Sequence, residues 1–197
     1  MLRNYSPLPF AMLPQGTGYA QPTQSALDRV GLDSPATDAM TDLTRIAAVI
    51  VLAGDTVDEA HRRMVQRGVR LLLVVDQDRK VMGVITANDV SGEKPVQIAV
   101  QQGIHRDEVL VRNIMTPSAN LQVLHMEQVR AAKVGHIVAT LKQAGRQHTL
   151  VVDRGEKGEL RLRGIFSTTQ IVRQLGMIIQ TGGVASTFAE IEARLTR

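Results

Sequence analysis

The sequence predicts a mixed α/β protein made of two tandem copies of one small unit, each a short β-sheet layer packed by helices. Three observations predict it. Capped helical patterns alternate with short, continuously apolar runs that end in turn residues. The same order of elements occurs twice at a nearly constant spacing. The composition, 44% hydrophobic but 3% aromatic and without Trp, calls for a core of Val, Ile, Leu, Ala and Met.

The elements follow in order. Residues 1–35 scatter Pro7, Pro9, Pro14, Pro22 and Pro35 among Gln, Thr, Ser and Gly without a helical or strand period. Such a stretch buries too little to offset its ordering entropy, so a flexible arm contributing little to stability is expected. Leu8, Phe10, Met12 and Leu13 give its start a small apolar surface for docking on a neighbour. From Asp38 the pattern turns regular. Thr56 and Glu59 are spaced as a capping box, Val57, Ala60 and Met64 mark one helical face, and Gly68 is placed to end the helix. Leu71–Val75 is an apolar strand stopped by Asp76, and Val81–Ile85 a second strand after a polar turn.

The second copy aligns with the first. Val134, Ile137, Leu141, Gly145 and Val151-Val152-Asp153 match Val57, Ala60, Met64, Gly68 and Val74-Val75-Asp76 at a constant offset of 77. Gly164-Ile165-Phe166-Ser167 matches Gly83-Val84-Ile85-Thr86 at 81, so the second hairpin is four residues longer. Upstream, Ala39-Met40-Thr41 matches Ile114-Met115-Thr116 at 75. Between the copies, Pro95 to Gln102 reads as a linker helix ended by Gly103. After the second copy, Ile171 to Ile179 reads as a helix running to Gly182-Gly183. A last helix follows, boxed by Thr187 and Glu190 and striped by Phe188, Ile191 and Leu195. Each copy leaves an apolar helix face that only its twin can cover, so the two are expected to fold as one unit.

The order of an opening Met-Thr, a strand, a capped helix, a strand ending in Asp, and a strand running into Gly-x-x-(Thr/Ser) before a helix resembles the cystathionine-β-synthase-type (CBS) repeat. Two such repeats form a Bateman module, the paired unit of nucleotide-regulated enzymes, channels and kinase subunits. The resemblance covers roughly residues 36–176. It implies two small sheet-and-helix layers related by a pseudo-two-fold axis. Repeats are expected at 36–92 and 110–182, with a linker helix at 93–109 and a C-terminal helix at 183–197. It also implies a stand-alone pair without an attached catalytic domain, a homodimer formed through helices, and an adenosine-containing ligand between the repeats. That ligand would be AMP, ADP, ATP, S-adenosylmethionine or a dinucleotide, acting as a regulatory ligand and not a required cofactor, with an unidentified protein partner reading its binding.

Gly83-Val84-Ile85-Thr86-Ala87-Asn88-Asp89 matches the family's adenosine signature, Gly–apolar–x–(Thr/Ser)–x–x–(Asp/Asn). Gly in a strand lets another group approach the backbone. The turn from strand to helix presents amides to an anion, and Thr86 adds a hydroxyl there. Asp89 offers acceptors to both hydroxyls of a ribose; otherwise Thr86 helps cap the helix and Asp89 sits in its first turn, favoured by the dipole. In the second copy Ser167 keeps the hydroxyl, but Gln170 replaces the acid and loses the charge-assisted pair. Phe166 is expected to stand bulky beside that pocket, so one competent and one weak site are expected. Arg70, six residues before Asp76, and His148, five before Asp153, match loosely the basic residues that face phosphates in related kinase subunits. Met40-Thr41 and Met115-Thr116 resemble the opening strands that line the adenine; otherwise both Met are ordinary core residues.

Other function classes find little support. Cys is absent, which removes disulfides and thiolate metal sites and fits a reducing, cytoplasmic compartment. No apolar run reaches membrane-spanning length. The formal charge is +4, and the excess lies late in the chain, where residues 136–197 carry nine Lys/Arg against five Asp/Glu. Those bases interleave with Glu156 and Glu159, and few aromatics are present to stack on bases, so nucleic-acid binding is the weakest of the binding readings. No nucleophile elbow, Walker-type loop or His-Glu-x-x-His occurs, and no enzyme is expected. The alternative to ligand sensing is a ligand-independent dimerisation or protein-interaction module.

Overall fold

The computed structural model describes residues 12, 14, 29–155 and 157–176. The expected start of the arm and the expected C-terminal helix lie outside the described residues, apart from an exposed Met12.

After a 3-10 turn at Ala36–Ala39, the first half runs β1 (Thr41–Asp42), β2 (Ile50–Leu52), α1 (Val57–Arg67), β3 (Leu71–Val75), β4 (Val81–Thr86) and α2 (Ala87–Ser91). The linker helix α3 (Lys94–Gln102) and a short α4 (Val111–Ile114) follow. The second half runs β5 (Thr116–Pro117), β6 (Val123–His125), α5 (Met126–Ala131), α6 (Val134–Gln143), β7 (His148–Arg154), β8 (Leu160–Ser167) and α7 (Thr168–Gln174). Helices end where left-handed glycine is available: Gly68 and Gly103 stand at φ 62° and 64° after α1 and α3. At the start of α1 the Thr56 hydroxyl accepts from Glu59 N–H at 3.2 Å, as the capping signature predicts. The Glu59 carboxylate pairs with Arg62 and Arg63.

Two four-stranded sheets form, with strand orders β2-β3-β4-β5 and β1-β8-β7-β6. In each, a parallel pair precedes an antiparallel hairpin (β2–β3–β4 and β6–β7–β8). The fourth strand is exchanged. β5, which opens the second repeat, pairs with β4 of the first, and β1, which opens the first, pairs with β8 of the second. Repeat boundaries along the sequence therefore do not coincide with the sheets.

Three apolar layers result. One, between the first sheet and its helices, holds Val57, Ala60, Met64, Leu72, Val74, Ile85 and Ile114. A second does the same for the other sheet with Met40, Val134, Ile137, Leu141, Val151, Phe166 and Ile171. The third lies between the sheets and joins Leu73, Val84 and Leu150 with Ile50, Val123 and Ile165. Alternate residues of β3 and β4 thus serve different layers, which is why these strands read as unbroken apolar runs. The sequence expectation that a helix face is covered by the twin is corrected here. Each helix face is covered mainly by the sheet of its own half, and the twin adds only its opening segment: Ala36, Ala39 and Met40 pack against the helices of the second half, and Val111 and Ile114 against those of the first.

Two boundaries also change. The packed chain includes Val30 to Pro35, which the Pro-rich composition assigned to the arm. Val30 is buried, its N–H donates to Gln174 C=O at 3.1 Å, and the Leu32 and Ser34 carbonyls accept from Gly135 and Val134 N–H, each at 2.9 Å. The backbone here bonds to the start of α6, a long-range pairing that no local period reveals. The helix expected over Ile171–Ile179 stops at Gln174, because Gly176 takes a left-handed φ of 70°.

Candidate functional site

The layer between the sheets opens at one side into a cleft of about 260 Å³, near the small end of ligand-pocket size. The first sheet contributes Leu71, Val84 and Thr86, with Asn88 and Asp89 from α2. The exchanged segment contributes Thr116, Leu121 and Gln122, and the second half contributes the run Gly145–Leu150. Strand exchange is what brings Thr116 to Thr86: Thr116 sits opposite Val84 on the neighbouring strand.

Asp89 is the anchor of the cleft wall. Its Oδ2 accepts from Thr86 N–H at 2.9 Å and from the Thr86 hydroxyl at 2.6 Å, while Asp89 N–H donates back to that hydroxyl at 3.3 Å. The turn is therefore a capping box, and the hydroxyl proton of Thr86 goes to Asp89 instead of outward. Asp89 Oδ1 accepts from Lys94 Nζ at 2.5 Å. With five residues, α2 is too short for its dipole to supply the anion site expected of the strand-to-helix turn.

Facing this corner, His148 is half-buried in the opposite wall. Burial, and next the positive charge of Arg70, lower its pKa to about 4, so the imidazole is neutral at physiological pH. Arg70 itself is exposed at the rim, its guanidinium donating to Asn88 Oδ1 at 3.3 Å. Arg146 lines the cleft and also a smaller adjoining cavity of about 190 Å³.

Residues 32–94, the first repeat, match the family model described as CBS domain. In three dimensions the chain is similar to CBSX2, a CBS-pair protein from Arabidopsis thaliana, in its complex with AMP. That match has a TM-score of 0.50 and 22% identity, over 71% of this chain and 94% of that one. The chain folds as a pair of CBS domains. Similar too is the CBS domain pair of MJ0100, solved with 5′-methylthioadenosine and S-adenosyl-L-methionine, at a TM-score of 0.50 and 20% identity over 73% of this chain and 96% of that one. An uncharacterised conserved protein from Pyrococcus horikoshii reaches a TM-score of 0.54 at 23% identity, over 78% of this chain and all of that one. No curated protein matches the sequence significantly.

Within this CBS pair, the residues singled out in the sequence fall into two groups. Val84, Thr86, Asp89 and Thr116 share the cleft with His148, and Arg70 stands at its rim. Gly83 lies beside them under β5, where a Cβ would overlap the Thr116 carbonyl oxygen, so the group that its missing side chain admits is the exchanged strand. Met115 packs into the helix-side core of the first half. Thr41 and Ser167 belong to the other sheet, with Met40 just before β1 and Gln170 on α7. Met40 is core and fills the space over Gly164, and the Thr41 hydroxyl donates to Gln170 Oε1 at 2.9 Å. Ser167 precedes α7, opposite His148 in the ladder, without capping it. Phe166 is not beside a pocket: it points into the helix-side core and is fully buried, because Ile165 takes the inward position one residue earlier. The sequence reading missed Arg146, Asn88 and Lys94. Lys94, five residues beyond an acid that itself starts a helix, was the one with a readable signal.

Among the described residues no helix is long and apolar enough to cross a membrane, and no group of three His, Cys, Asp or Glu is placed to hold a metal ion.

Proposed function

We propose that this CBS pair is a regulatory module that binds an adenosine-containing ligand in the cleft between its sheets and passes the change in packing to a protein partner. The observation that carries this reading is the convergence of Val84, Thr86, Asp89 and Thr116 on one cleft, opposite His148 and Arg146. The apolar wall of Leu71, Val84, Leu121 and Leu150 suits a purine face. The carboxylate suits ribose hydroxyls, and the guanidinium groups of Arg146 and of Arg70 at the rim suit a phosphate. The AMP and S-adenosylmethionine complexes of CBSX2 and MJ0100 support the class, since adenosine is common to both ligands. The Thr86 hydroxyl and the Asp89 carboxylate are engaged with each other as a helix cap, which suits binding. A second copy of the chain is the expected first partner, for which Val65 on α1 and Val96 and Val100 on α3 offer exposed apolar surface.

One observation favours the ligand-independent alternative: the Asp89 carboxylate is already bonded within the protein on both oxygens. Native mass spectrometry of the purified protein against AMP, ADP, ATP and S-adenosylmethionine separates the two. A bound adenosine compound that is lost in Val84→Phe, which fills the cleft, supports ligand sensing. A folded protein that takes up none of the four supports the alternative.

A further inference from the structure

Resting on the cleft reading above, we infer that Lys94 is an internal competitor for the ligand, a latch on Asp89 that a vicinal diol must displace. An ionised carboxylate offers about four lone-pair positions over its two oxygens. Thr86 N–H and the Thr86 hydroxyl both bond to Oδ2, and Lys94 Nζ bonds to Oδ1. One position remains, on Oδ1. A single hydroxyl can be accepted there with Lys94 in place, whereas the two hydroxyls of a ribose cannot both be.

The partner that yields is fixed by exposure. The Lys94 side chain is 53% exposed, and the Asp89 side chain only 12%. The ammonium can swing into water at little cost, while the carboxylate is held by the capping box. Lys94 is also the first residue of α3, whose first turn closes when Gln97 N–H donates to Glu93 C=O at 2.9 Å. Displacing the ammonium removes the tie between α2 and the start of α3, the helix whose outer face exposes Val96 and Val100. Ligand entry is thereby coupled to the surface nearest a partner. The second repeat has no such device, because Leu175 occupies the position corresponding to Lys94.

Calorimetric titration with uncharged nucleosides tests this, since they carry no phosphate for Lys94 to attract. Lys94→Met is expected to bind adenosine about two- to fivefold more tightly than wild type, the range that removal of a partly exposed ion pair allows. It should bind 2′-deoxyadenosine, which offers one hydroxyl fewer, with unchanged affinity. In wild type, adenosine should bind more tightly as salt screens the Lys94–Asp89 pair, and in Lys94→Met the salt response should be flat. Hydrogen exchange at Gln97 and Ile98 should quicken on adding adenosine to wild type. Equal adenosine affinity in the two proteins, or weaker binding by Lys94→Met, would overturn the latch while leaving the cleft reading intact. Where the nucleosides bind too weakly to measure, AMP and 2′-deoxy-AMP decide the latch by the same comparison, and binding of none of the four compounds to either protein overturns the cleft reading and the latch with it.

Discussion

The two halves of this CBS pair begin from the same strand-to-helix turn and hold it shut differently. In the first half the turn is a charged cap, Thr86 on Asp89, tied to the linker helix by Lys94. In the second, Ser167 makes no cap bond, and Gln170 is held by a neutral hydrogen bond from Thr41 across the exchanged strand. The glycines one turn earlier differ in the same sense. Gly83 is pressed by the backbone of β5, whereas Gly164 is covered by the side chain of Met40. The first turn carries a carboxylate bonded on both oxygens, whereas the second carries a neutral amide and is packed with a deformable side chain. A duplicated unit has thus kept its architecture while building the charged capping box at this turn in one copy and not in the other.

Several ways of breaking this comparison can be ranked by size. The largest effect belongs to the segment before the first repeat. Removing residues 1–34 deletes buried Val30 and three backbone hydrogen bonds onto the second half. At about 2 kcal/mol for the side chain and about 1 for each bond, the cost is about 5 kcal/mol. The melting temperature should fall by roughly ten degrees, with hydrogen exchange rising first in α6 and α7. A melting temperature within a few degrees of the full chain would show that this segment adds nothing.

Next come the glycines. Gly83→Ala drives a methyl group into the Thr116 carbonyl and should cost about 3 kcal/mol, since backbone must move. Gly164→Ala meets only the Met40 side chain, which can change rotamer, and should cost about 1 kcal/mol. Chemical denaturation of both variants measures the difference, and equal losses would refute the assigned asymmetry of the exchanged strands.

A smaller effect is expected from His148. Its folded pKa, lowered to about 4, lies below the usual value of 6.5, so the unfolded chain binds a proton first. Stability therefore falls as pH drops from about 6.5 to about 4, by about 2–3 kcal/mol in all. His148→Leu, which copies Leu71 of the first repeat, should remove most of that slope. An unchanged slope would place the imidazole in water.

The repeat, the hairpins, the linker helix and the stops of α1 and α3 were legible in the sequence because each rests on local signals: apolar period, capping residues, and glycine at left-handed positions. What was not legible is long-range. Nothing local says that Thr116 pairs with the first repeat and Thr41 with the second, yet that exchange decides which candidate residues share the cleft. The same limit hid the docking of Val30–Pro35, whose bonds reach the start of α6. Phe166 was misplaced for a simpler reason, since an apolar strand buried on both faces does not reveal which face each residue takes. Asp89 was read either as a ligand for ribose or as a first-turn acid beside a capping Thr86; the structure has the cap, and adds the ion pair with Lys94.

The central claim, that the competent site lies in the first half, is tested most directly by calorimetric titration of AMP against wild type, Asp89→Ala and Gln170→Ala. Loss of the carboxylate should weaken AMP binding about ten- to a hundredfold, the worth of hydrogen bonds to a charged acceptor. Gln170→Ala should bind within about threefold of wild type, because a single neutral hydrogen bond is at stake. Undiminished binding by Asp89→Ala, or loss of binding in Gln170→Ala alone, would contradict the assignment and move the site to the second half.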